Sequence, residues 1–133
     1  MKKHLISIIA LLFALTLSAC AAQTTPAVPF PPVPADYAGK TNPFGADAAS
    51  DGAVNYNTYC EACHGATGLG DGPAGQALDP KPASLPAVAS QVGDDYLFWR
   101  ISEGKPGTSM VGWAGVLSEE QIWQVVAYIR TLK

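Results

Sequence analysis

The sequence predicts an all-α domain of short helices joined by Gly- and Pro-rich loops, and three observations carry that prediction. Residues recur at three- and four-residue steps through the middle of the chain. A fully marked helix start and an apolar stripe close it. No stretch after Asp47 alternates convincingly in the way a half-buried strand does.

The first helix is expected from about Ala48 to Cys63, with Ala49, Gly52, Tyr56, Cys60 and Cys63 on one face. A short helix follows, opened by Ser84. The next runs from about Asp95 to Glu103, capped by Asp94 and stopped by Gly104. The last spans about Glu119 to Leu132. There Ser118 with Gln121 makes a capping box, and Leu117 facing Ile122 makes a hydrophobic staple. Ile122, Val125, Val126 and Ile129 form its apolar stripe. No internal repeat is present. A domain of this size, residues 47–133, is marginal alone and needs something large and apolar in its middle.

The N-terminus reads as an address rather than as fold. Lys2 and Lys3 precede an apolar run from Leu5 to Leu17, too short for an ordinary spanning helix but suited to an export signal. The ending Leu17-Ser18-Ala19-Cys20 resembles the lipobox of bacterial lipoproteins. That resemblance implies cleavage after residue 19 and a diacylglyceryl group on the Cys20 thiol; a plain secretory signal cut at or after Ala22 is the alternative. Acyl chains at ~0.8 kcal/mol per buried methylene anchor stably only in pairs or more. The expected organisation is a signal peptide at 1–19, a lipidated Cys20 with a Pro-rich tether at 20–46, and a globular domain at 47–133. Six of the eleven prolines fall between residues 21 and 46, which favours extended geometry at ~3.1 Å per residue. The segment is expected to lift the domain off a membrane; a strap packed on the domain or on a partner is the other reading, since Tyr37 and Phe44 have apolar surface to bury.

Loss of Lys2 and Lys3 takes the formal charge from −3 to −5, because residues 1–19 hold no acid. An acidic chain without a Lys/Arg cluster argues against nucleic acid as a partner. Nucleotide binding is set aside as well. Gly70-Asp71-Gly72-Pro73-Ala74-Gly75 matches G-x-G-x-x-G with Asp94 downstream, yet no strand precedes it and Pro73 has no N–H for a phosphate.

The chemistry lies in Cys60-Glu61-Ala62-Cys63-His64, a C-x-x-C-H sequence at the end of a helix. Two thiols at that spacing reach the two vinyl groups of one porphyrin, and the next residue sets an imidazole under the iron. A thioredoxin-like pair would want a preceding strand, and zinc a second ligand pair. With Cys20 given to lipid and the other two to haem, no cysteine is left over. After residue 19 the chain has one histidine, His64, and one methionine, Met110, so bis-histidine ligation within it is impossible. Met110 follows Gly107-Thr108-Ser109 in a loop able to cover the distal face; a core methionine is the plain alternative. A thioether stabilises ferrous iron and fills the position where oxygen or peroxide would bind.

Residues 47–133 resemble a class I, single-haem bacterial cytochrome c. Three blocks carry the likeness: Gly52-x3-Tyr56-x3-Cys60-x2-Cys63-His64-Gly65, Gly104-Lys105-Pro106-Gly107-Thr108-Ser109-Met110, and Leu117-Ser118-x2-Gln121-Ile122-x5-Tyr128-Ile129. The resemblance implies a small fold of short helices wrapped around one covalent haem c. It implies no catalytic residue, and a crossing of first and last helices at Gly52 and Tyr56 against Val125 and Tyr128. It also implies a proline carbonyl for the His64 ring N–H, with Pro73 and Pro82 as candidates. Apolar walls are expected from Leu85, Leu97, Ile101, Val111, Trp113 and Leu117, and a propionate partner in Arg100 or Trp113. The expected role is single-electron transfer between respiratory or photosynthetic partners from an extracytoplasmic, membrane-anchored position. The alternatives are a fixed haem subunit of a quinol-oxidising membrane complex, or a haem peroxidase or gas-binding protein that would need Met110 to leave the iron.

Overall fold

A computed structural model describes residues 30–133. The signal and lipidation readings, including Cys20, lie outside the described residues. Within them are five α-helices and no strand: α1 Ala49–Tyr59, α2 Glu61–His64, α3 Leu85–Ala89, α4 Asp94–Glu103 and α5 Glu119–Ile129. Single 3-10 turns lie at Ala46–Ala48 and Gly75–Ala77. No helix among the described residues is long and apolar enough to cross a membrane.

α1 and α5 cross at the centre of the fold. A Cβ on Gly52 would stand 1.9 Å from the Gln124 carbonyl oxygen, so only glycine admits this approach. Tyr56, Val125 and Val126 are each 0% exposed at the crossing, and the Tyr56 and Tyr128 rings meet at 5.0 Å. The polar edge is closed by Asn55, whose amide donates to Gln124 Oε1 and whose Oδ1 accepts from Gln121 Nε2, both at 3.4 Å. α4 joins the core through Phe98, stacked on Trp123 at 4.1 Å.

The start of α5 follows the sequence. Gln121 N donates to Ser118 Oγ at 3.2 Å, Ser118 N donates to Gln121 Oε1 at 2.9 Å, and both Leu117 and Ile122 are buried. Its end comes earlier than expected, at Ile129. Thr131 Oγ1 donates to the Tyr128 carbonyl, and Thr131 and Leu132 make i→i−3 bonds that tighten the last turn. The helix expected over 48–63 is two: Cys60 has φ −117°, which breaks α1 from α2. Asp94 does not cap α4. Gly93 holds the N-cap position without a side-chain bond, and the Asp94 carboxylate is 2.7 Å from the Arg130 guanidinium, which also donates to the Ala89 and Val92 carbonyls. Ser84 caps α3 and Gly104 ends α4 at φ +77°, both as read.

Over its described part, the segment expected to be a spacer lies on the domain as a strap. Tyr37 Oη donates to Glu103 Oε1 at 2.5 Å, Gly39 N to Asp95 Oδ2 at 2.9 Å, and Asn42 Nδ2 to the Trp123 carbonyl at 2.9 Å. The Tyr37 ring tilts on Phe98, and Lys40 Nζ sits 5.4 Å over both rings. Prolines stiffen such a segment whether it is free or docked; its aromatic and polar side chains make the docking.

Candidate functional site

α2 is a single turn, and its four residues carry the second thiol and the imidazole. Gly65 ends it at φ +80°, where its N–H bonds back to the Glu61 carbonyl. Tyr56 reaches from α1 to donate its hydroxyl to the Gly65 carbonyl at 2.7 Å, a buried bond that ties the residue after His64 to the helix crossing. Burial pushes the Tyr56 phenol well above its ordinary range, so it stays a donor. The loop after α2 then folds back over it. Ala74 N donates to the Ala62 carbonyl at 2.9 Å, and a Cβ on Gly75 would lie 2.3 Å from the Cys63 carbonyl oxygen. Gly72 and Gly75 of the G-x-G-x-x-G match therefore serve close approach to α2, and Gly70 close approach to the Pro82 carbonyl.

Met110 is presented by a second loop. Gly104 and Gly107 both adopt φ +77°, Lys105 N donates to the Met110 carbonyl at 3.0 Å, and Met110 N donates to Thr108 Oγ1 at 3.2 Å. Trp113 N and Ala114 N then bond to the Ile101 and Ser102 carbonyls, fixing the loop to α4. The spacing in sequence between His64 and Met110 is thus closed by backbone bonds, and both side chains line one cavity of about 390 Å³.

Cys60 and Cys63 line the same cavity, and both thiols are free. Leu85, Leu97, Ile101, Val111 and Trp113 are among its walls, as expected, with Val111 62% exposed at the rim. Leu117 is not a wall: as the staple residue it is buried in the core and borders a separate groove with Tyr37 and Ile122. Arg100 and Trp113 both face the cavity. The Arg100 guanidinium lies 3.7 Å over the Trp99 ring and its Nε donates to Tyr96 Oη at 3.2 Å. Tyr59, Tyr96, Phe30 and Pro31 are lining residues that the sequence reading missed. The only signal for Tyr96 was its place one turn before Arg100 on α4.

The electrostatics fit a neutral ligand set. Burial lowers the pKa of His64, which keeps the imidazole uncharged with a free lone pair. Its Nδ1 is buried with no hydrogen-bond partner, so neither the Pro73 nor the Pro82 carbonyl receives the ring N–H. Pro82 lines the cavity, but its carbonyl is turned against Gly70. Burial, with Cys63 beside it, pushes the Cys60 thiol up to about 12. That is the opposite of the depressed thiol of a redox-active C-x-x-C pair. Among the described residues no cluster of three or more His, Cys, Asp or Glu side chains exists that could hold a bare metal ion. Two thiols, a neutral buried ring and a thioether around an apolar space fit a haem bound through sulfur.

Fold and donor set together define the class: a c-type cytochrome domain. Residues 47–129 match the family described as "Cytochrome C oxidase, cbb3-type, subunit III", and the chain belongs to that family. The matched region is accordingly an electron-transfer domain with haem c as its cofactor. A similar curated protein is the dihydro-heme d1 dehydrogenase of Pseudomonas aeruginosa, 38% identical over 80 residues. The match covers 59% of this chain but 14% of that protein's length. Among solved structures, a chain of the reducing HAO-like protein complex of Kuenenia stuttgartiensis shares the fold with a TM-score of 0.61 at 24% identity. That match covers 79% of this chain and 52% of the other.

Proposed function

We propose that Cys60 and Cys63 hold a single haem covalently, that His64 and Met110 are its axial ligands, and that the chain passes single electrons between redox partners. The observation that carries this reading is the convergence of these four side chains, from the α1–α2 junction, α2 and the loop after α4, on one apolar cavity. When bound, the haem supplies a reversible Fe(III)/Fe(II) couple. The chain's own residues do the rest. His64 offers a ring kept neutral by burial, Met110 would offer its thioether to the iron and so compete with small ligands, and the apolar walls would exclude water. The test is spectroscopic. Thioether-bound haem in the denatured chain, a near-red sulfur-to-iron band in the ferric protein and no carbon monoxide binding at neutral pH are expected. Ready binding of carbon monoxide by the reduced protein refutes Met110 as a stable ligand.

The chain is further proposed to be exported and held through a lipidated Cys20 on the extracytoplasmic side of a membrane. With the strap docked, ten residue steps separate Cys20 from Phe30, which at full extension bounds the reach to roughly 35 Å. That is a short leash and suits a partner lying at the same surface. Cys20→Ser is expected to move the protein to the soluble fraction; its retention in membranes refutes lipid as the anchor.

A second reading is a fixed haem subunit of a membrane quinol-oxidising complex; the family's own description as an oxidase subunit and the Kuenenia protein's being a complex favour the subunit role. Gentle extraction and native electrophoresis separate the two. A carrier runs alone, and a subunit co-migrates with large membrane proteins.

A further inference from the structure

The strap and the cavity meet on α4. The residues of α4 that hold the strap are Asp95, Phe98 and Glu103; those that line the cavity are Tyr96, Leu97, Arg100 and Ile101. One helix therefore carries the strap on one face and the cavity on the other. Where the described strap begins, it comes round to the cavity itself: Phe30 and Pro31 are lining residues. The Phe30 ring stands edge-on to Tyr96, at 5.3 Å and 71°, and Tyr96 is itself edge-on to Trp99 at 5.6 Å, with the Arg100 guanidinium over both. Phe30 is half-buried and stands outside the buried core cluster, so the fold does not depend on it.

We infer that Phe30 is a wall of the haem site: the strap holds its ring across one edge of the cavity and so sets how much water reaches the haem. This rests on the haem reading above. Tyr37, Gly39 and Asn42 act through position, since their bonds to Glu103, Asp95 and the Trp123 carbonyl fix the strap on the domain. An apolar wall disfavours the more highly charged ferric state and raises the reduction potential; opening it admits water and lowers the potential. The strap is then a tuning element of the site as well as a connection to whatever precedes it.

The alternative is that Phe30 merely covers the outside of Tyr96, and the two differ in what the potential does. The experiment uses the full chain loaded with haem, in Phe30→Ala and Phe30→Leu forms. Redox titration followed in the visible bands gives the midpoint potential, and stopped-flow reduction by ascorbate, a small hydrophilic reagent, reports access to the haem edge. Phe30→Ala is expected to shift the potential downward and to be reduced faster by ascorbate, while Phe30→Leu, still apolar, stays near the wild type on both. A wild-type potential and ascorbate rate in Phe30→Ala overturn the inference. Failure of the haem reading is seen separately, as a wild-type chain without thioether-bound haem.

Discussion

Gly52→Ala is the sharpest perturbation the fold offers. The added Cβ would sit 1.9 Å from the Gln124 carbonyl oxygen, 2.5 Å from its carbon and 3.0 Å from Tyr128 Cβ, where contacts under 3.0 Å essentially never occur. α1 and α5 must therefore part by at least 1.1 Å (3.0 − 1.9). The obstacle is backbone, which cannot rotate aside, and the separation is felt by Tyr56, Val125 and Val126, all fully buried at the same crossing. Overpacking of this kind costs about 1–3 kcal/mol, and a backbone obstacle places it near the top of that span. The substitution also returns about 1 kcal/mol, because alanine is the better helix former. The net expectation is a loss of about 2 kcal/mol, or a fall of about 10 °C in Tm for a domain of this size. Thermal unfolding of the haem-loaded protein, followed by helical circular dichroism and by the Soret band, measures it. Val54→Ala, 66% exposed on the same helix, is the control and is expected to melt near the wild type. A Gly52→Ala protein that melts at or above the wild-type temperature refutes the argument that close approach of α1 to α5 requires this glycine.

Tyr56→Phe removes the donor to the buried Gly65 carbonyl and should cost about 1–3 kcal/mol, read as a lower urea midpoint with an unchanged m value. Ser118→Ala removes half of the capping box at α5 and should cost about 1 kcal/mol in the same assay; no loss would mean that Gln121 alone satisfies the helix start. The Tyr37 phenol is pushed up to about 12, first by its hydrogen bond to Glu103 and then by burial and the nearby carboxylates. Because the folded chain holds that proton more tightly than the unfolded chain, the contribution of the Tyr37–Glu103 bond is complete below pH 10 and is lost as pH rises from 10 to about 12. Tyrosinate absorbance against pH should show this late titration, and Tyr37→Phe should remove both the late titration and the stability change in that window.

Local chemistry was legible in the residues. The capping box of α5, the glycine stop of α4 and the serine cap of α3 are short-range signals, each complete within a few residues, and each stands where it was read. C-x-x-C-H is likewise a contiguous motif, and the elimination of other His and Met residues pointed to Met110 before any fold was known. The misreadings share a different cause. Asp94 looked like a cap until Arg130, 36 positions away, took its carboxylate. Leu117 looked like a cavity wall, but its staple partner Ile122 draws it into the core. The proline-rich segment looked like a spacer because proline content reports stiffness; what docks it is Tyr37, Gly39 and Asn42 finding partners 66, 56 and 81 residues on. By itself, then, the sequence determined the helical class and the C-x-x-C-H motif, and it singled out His64 and Met110 as the candidate donors. Only the tertiary structure decided that the candidate donors share one cavity, that Phe30 and Pro31 of the strap line it, and that the His64 Nδ1 goes without a partner, because each depends on residues brought together by chain reversal rather than by spacing.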